Sequence, residues 1–169
     1  MQRRTTLLSI AACAAAVLLP GCASPGRDAR VVVGRSTTAD LIGYYGQPVH
    51  IWPEPDGGQT FEYSTQPFGH SCIMARFGPD LKLLQIEDTL LEASRARVLP
   101  GMTQEQVSRL LGRERRRMFF PLSGEDVWDW NVPFENSGYL LRFNVHFVDG
   151  KVVRASNTMV PLDRRMLWD

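Results

Sequence analysis

Apolar positions along this chain change period several times, and each change marks an element. Val107, Leu110 and Leu111 fall at i, i+3 and i+4, one face of a helix. Thr103-Gln104-Glu105-Gln106, just before them, has the spacing of a capping box, with threonine at the N-cap and glutamine three residues on. Gly112 supplies the left-handed residue that stops the helix. From Trp128 the period falls to two. Trp128 and Trp130, then Phe143, Val145 and Phe147, predict strands with one apolar face. Asp149-Gly150-Lys151-Val152 turns the chain into a last strand running to Thr158.

The same order of signals occurs earlier. Thr37 opens a helix, Leu41, Tyr44 and Tyr45 make its face, and Gly46 stops it. Phe61 and Tyr63 alternate as the two tryptophans do, and each pair is followed by Pro-Phe, at Pro67-Phe68 and Pro133-Phe134. Ile73, Ala75 and Phe77 mirror Phe143, Val145 and Phe147, and the stretches from Asp80 to Thr89 and from Asp149 to Thr158 keep one register. A duplicated supersecondary unit accounts for this shared order. Between the copies, Thr89-Leu90-Leu91-Glu92 has capping-box spacing, so Leu90 to Val98 predicts a short leading helix ended by Pro100-Gly101.

The expectation is an α+β fold of two tandem helix-helix-three-strand units, residues 31–89 and 90–169, with antiparallel sheets carrying helices on one face. Arg27 to Val33 leaves little room for the first unit's leading helix, which is expected to be truncated or missing. Units of this size without a disulfide or metal are marginal alone, so the two are expected to pack together.

The first 21 residues belong to neither unit. Arg3 and Arg4 precede an apolar and small-residue run from Leu7 to Leu19, too short for a membrane-spanning helix, which needs about 20 residues. Leu19-Pro20-Gly21-Cys22 closes it and resembles a bacterial lipobox, in which the cysteine becomes the acylated N-terminus. The alternative is a plain secretory signal cut after one of Ala14 to Ala16. Ala23, not aspartate, follows Cys22; by resemblance to lipoprotein sorting in Gram-negative bacteria, that directs the chain to the outer membrane, facing the periplasm. Residues 22–30 then form a short unstructured tether to the acyl chains.

Composition narrows the function. Removing residues 1–21 takes away Arg3 and Arg4, leaving 17 basic residues (19 less 2) against 18 acidic ones, a charge of −1. That argues against a nucleic-acid partner, which favours a basic excess. Cys13 leaves with the signal and Cys22 is acylated, so Cys72 remains as a free thiol and no internal disulfide is available. His50, His70 and His146 lack metal-ligand spacing, and no G-x-S-x-G elbow or phosphate-binding glycine loop is present. No metal, cofactor or catalytic residue is expected. His70 and Cys72, two apart on an extended strand, would share a side and keep a thiol nucleophile in view.

The Leu99-Pro100-Gly101-Met102-Thr103 turn, Leu110-Leu111-Gly112, Val127-Trp128-Asp129-Trp130 and Phe147 to Val152 together resemble the SmpA/OmlA domain. This is the BamE-like lipoprotein fold of the outer-membrane β-barrel assembly machinery, and in tandem it is the architecture of β-lactamase inhibitory protein. The resemblance covers residues 99–158 and, more thinly, 34–89. Val33-Gly34-Arg35-Ser36-Thr37 replaces the tight Pro-Gly-x-Thr turn in the first copy, and the assembly-machinery domain has one unit where this chain has two. The resemblance implies a non-enzymatic accessory lipoprotein that binds envelope proteins, β-barrel assembly components among them, or lipid headgroups. An inhibitor of a periplasmic or secreted hydrolase is the alternative, and a periplasmic enzyme the next.

Candidate contact residues follow from exposure and charge. Phe68 and Phe134 sit at hairpin tips, where a ring either anchors in a partner's pocket or folds back over the core. Phe119 and Phe120, in Phe119-Phe120-Pro121-Leu122, have the same two options as an apolar loop. Arg115, Arg116 and Arg117, after a helix end, are either a solvated turn favourable to the helix dipole or a contact for anionic headgroups.

Overall fold

Two antiparallel meanders, each fed by a short helix, make up the described part of the chain. The computed structural model describes residues 30–136 and 138–162; Cys22, most of the tether and Trp168 lie outside the described residues. Helix α1 (Thr38–Tyr45) leads into β1 (His50–Pro53), β2 (Gln59–Ser64), β3 (Cys72–Phe77) and β4 (Leu83–Asp88). Then α2 (Glu92–Arg95) and α3 (Gln104–Leu111) lead into β5 (Arg116–Phe120), β6 (Glu125–Val132), β7 (Tyr139–Val148) and β8 (Lys151–Pro161). Both sheets have their strands in sequence order, β1-β2-β3-β4 and β5-β6-β7-β8.

The expected fold class of two helix-helix-three-strand units is therefore corrected. Among the described residues the fold is mostly sheet, each sheet has four strands, and the first has a single helix in front of it. The overlooked strands are β1 and β5, one edge of each sheet. All five residues of β5 are exposed, and β1 has one half-buried residue in four. A strand wet on both faces carries no period-two signal, so hydrophobic alternation could not find it. The expected helix over Leu90 to Val98 shrinks to the four residues of α2, and its cap is Leu91 with no side-chain hydrogen bond. Thr89, expected to cap it, turns its hydroxyl to the Cys72 and Leu111 carbonyls instead.

Local chemistry sets the two longer helices. Thr37 with Asp40, and Thr103 with Gln106, form reciprocal capping boxes. Gly46 and Gly112 end them with φ of 81° and 75° and extended ψ, a region essentially reserved for glycine. Past the helices the copies continue to correspond. A bulge leaves Leu84 of β4 unpaired opposite Arg76 and Phe77, and Val153 of β8 unpaired opposite His146 and Phe147, and Thr37 bridges Lys82 as Thr103 bridges Lys151. The register places Phe61 opposite Ala75 and Trp130 opposite Phe143, so the strong alternators share one face of each sheet.

That face takes a helix in both cases. Leu41 of α1 packs with Phe61, Tyr63, Ala75, Phe77 and Leu83. Val107 and Leu111 of α3 pack with Trp128, Trp130, Phe143, Val145 and Phe147. Cys72 and Met74, from the opposite face of β3, join this second cluster. The layers thus run α1, first sheet, α3, second sheet, with α3 touching both sheets. Burial of each large side chain contributes about 1.5–3 kcal/mol, and α3 concentrates that burial at the centre.

Candidate functional site

The junction between the sheets is built from backbone and buried polar groups. Glu62, only 1% exposed on β2, accepts hydrogen bonds from the Trp52 indole at 3.0 Å and from the Arg113 backbone at 2.6 Å. Arg113 directly follows Gly112, where a Cβ would run into Cys72 Sγ and the Glu62 carboxylate. Glycine is needed there for close approach as well as for φ. Trp130 donates its indole N–H to the Gly112 carbonyl at 3.1 Å, fastening the same helix end to the second sheet. Burial, and then the neighbouring Glu62 carboxylate, push the Cys72 thiol up to about 12. His70 is exposed in the preceding loop and Cys72 is enclosed, because β3 begins only at Cys72; the side-by-side geometry expected of an extended strand does not form.

At one end of the second sheet, the β2–β3 loop docks on β6. The Gln66 carboxamide pairs with the Asn131 backbone, donating to its carbonyl at 2.8 Å and accepting from its N–H at 3.2 Å. It occupies an edge that β5, beginning opposite Asp129, does not reach. Asn131 Nδ2 donates to the Pro67 carbonyl at 2.9 Å. Pro67 is thereby pinned, and the next residue, Phe68, stands 96% exposed. Three residues beyond Asn131 is Phe134, 42% exposed. The tertiary structure brings the two Pro-Phe loops to the same end of the molecule, and neither ring is buried in the core.

The remaining candidates are distributed differently. Phe119 and Phe120 are the last residues of β5, exposed, and they lead into a turn whose Leu122 is wholly exposed at the opposite end of β6. The arginine knot is divided. Arg115 holds Asp129 through two nitrogens, Arg117 pairs with Glu114 and lies over the Trp128 ring, and Arg116 is exposed on β5. The three cations do not form one patch.

Two polar clusters were invisible in the sequence. On the second sheet, away from α3, His146 lies between the Glu125 carboxylate, 3.1 Å from Nδ1, and the Ser156 hydroxyl, 3.0 Å from Nε2. Arg154 also grips both Glu125 oxygens, and its hydrogen bonds, then that of His146, hold the Glu125 carboxyl below its ordinary value. The second cluster is a cleft of about 210 Å³ between the α3 side of the first sheet and α3 itself. Trp52, Glu54, Arg76, Glu87, Arg97 and Arg109 line it. Only the strand register, which aligns Trp52 with Thr60 and Arg76 with Gln85, reveals these side chains as neighbours. Among the described residues, no group of three or more histidines, cysteines or carboxylates could hold a metal ion, and no helix is long and apolar enough to cross a membrane.

No protein-family model and no curated protein matches the chain. Among solved structures, it is similar to a DUF4309 family protein (YjgB) from Bacillus subtilis, at 16% identity and a TM-score of 0.29, over 77% of this chain and 82% of that one. A superposition that loose carries no weight for fold or function.

Proposed function

We propose that this chain is a lipid-anchored interaction module of the bacterial outer membrane, working on the periplasmic side and binding an envelope protein, with β-barrel assembly components the first partners to test. The observation that carries this is Phe68: a fully exposed ring on a loop pinned by the Gln66 and Asn131 hydrogen bonds. An aromatic side chain held in water by its own scaffold gains most by entering a partner's apolar pocket, and such anchors dominate interface energies. Because the loop is already fastened, binding costs little ordering. Phe134 at the same end widens the apolar surface. The lipobox-like Leu19-Pro20-Gly21-Cys22 supports the anchoring. Acylation would hold this surface close to the membrane, where partners are also tethered.

A photo-crosslinking residue at position 68, expressed in cells, tests the docking surface. The expected result is a specific adduct with an assembly component, absent when the residue is placed at exposed Arg35. An adduct pattern identical at both positions, or none, overturns the proposal. Anchoring is tested separately: Cys22→Ala is expected to move the protein from the membrane to the soluble periplasmic fraction.

A further inference from the structure

We propose that the cleft between the first sheet and α3 binds a small zwitterion bearing a carboxylate and an ammonium group, of amino-acid or dipeptide size. The cleft lies apart from the Phe68 surface and stands independently of it. Its lining carries three cations, Arg76, Arg97 and Arg109, and two anions, Glu54 and Glu87. Both signs meet in one small volume, an arrangement that suits a ligand of both signs better than a simple anion.

The internal pairing leaves hydrogen-bonding capacity of each kind. Arg76 spends one terminal nitrogen on Asp56 at 2.7 Å, and its other terminal nitrogen has no hydrogen bond among the described residues. Arg97 uses a single nitrogen, shared between both Glu87 oxygens. On the other side, Glu54 accepts from Thr60 through Oε1 at 2.6 Å, and its second oxygen has no hydrogen bond among the described residues. A ligand carboxylate would take the remaining terminal nitrogens of Arg76 and Arg97, and its ammonium the second Glu54 oxygen, as charge-assisted bonds.

Size and shape limit the ligand further. The volume of about 210 Å³ lies below the range of drug-sized pockets. Met74 and Leu110 give the cleft an apolar wall, which suits a small side chain. The walls are also preformed. Arg109 is fixed by the Pro53 carbonyl at 3.3 Å and lies over the Trp52 ring, and Trp52 is itself held by Glu62.

Calorimetric titration of the full mature chain with alanyl-alanine, N-acetyl-alanyl-alanine, alanyl-alanine amide and inorganic phosphate tests this. The expected result is saturable one-to-one binding of alanyl-alanine, with both singly charged analogues at least tenfold weaker. Arg76→Met is expected to weaken alanyl-alanine at least tenfold. Glu54→Gln, which keeps the hydrogen bond to Thr60, should weaken alanyl-alanine but leave the N-acetyl analogue unchanged. Phe68→Ser should leave every value unchanged. Absence of saturable heat with alanyl-alanine, equal binding of the N-acetyl analogue, or tighter binding of phosphate overturns the proposal.

Discussion

Cys72 shows how far one residue's chemistry depends on what packs over it. A free thiol invites a reactive role, yet this one faces Gly112 and Glu62 in a closed junction. With the thiol pushed up to about 12, the thiolate fraction at neutral pH falls about three orders of magnitude below that of a solvated cysteine. Iodoacetamide at pH 8 is expected to leave the folded protein unmodified over hours and to alkylate it within minutes in urea, as read by mass spectrometry. Rapid labelling of the folded form would show that the junction opens. Glu125 makes a second prediction at this scale. Its folded value is lowered from 4.5, so its contribution to stability is fully present above 4.5 and is lost as pH falls through the lowered value. Arg154→Ala removes the principal cause. The stability difference between wild type and variant, followed by circular dichroism in urea, should therefore shrink as pH is taken below 4.5. A difference independent of pH would exclude the carboxylate as its source.

Elements with identical local signals carry different loads. Gly46 and Gly112 close their helices with the same backbone geometry. A Cβ at Gly46 meets nothing within 4 Å, whereas one at Gly112 meets Cys72 and Glu62. Gly46→Ala should thus lose only the backbone term, about 1–3 kcal/mol. Gly112→Ala should add an overpacking cost of about 1–3 kcal/mol and disturb the Glu62 hydrogen bonds as well. Chemical denaturation of the two variants distinguishes them, and equal losses would mean the junction relaxes freely. Thr89 teaches the converse. Its capping-box spacing matches that of Thr103, but two carbonyls in the junction compete for its hydroxyl, and the helix it was expected to start is left without a side-chain cap.

Across the whole molecule, α3 and Glu62 make two sheets into one cooperative body. Cys72 and Met74 of the first sheet belong to the apolar cluster of the second, and the Gln66–Asn131 pairing closes the far end. Thermal unfolding followed by calorimetry and by tryptophan fluorescence is expected to give coincident single transitions. Cutting the chain after Thr89 should leave both halves unfolded, since each would expose a face that the other covers. Two separable transitions would show that the sheets are independent domains.

The amino-acid order by itself determined the local events: Thr37 and Thr103 as caps, Gly46 and Gly112 as stops, and the central strands whose rings alternate. These depend on neighbours within about four residues, or on one wet and one buried face, and so leave a period in the chain. The edge strands β1 and β5 leave none, because water on both sides of Arg116–Phe120 imposes no alternation. Only the tertiary structure decided that the two Pro-Phe loops converge, that the arginine knot divides between opposite faces, and that Glu54, Arg76, Arg97 and Arg109 share a cleft. Those outcomes rest on strand register and on a helix lodged between two sheets, which join residues dozens of positions apart that no short-range pattern connects.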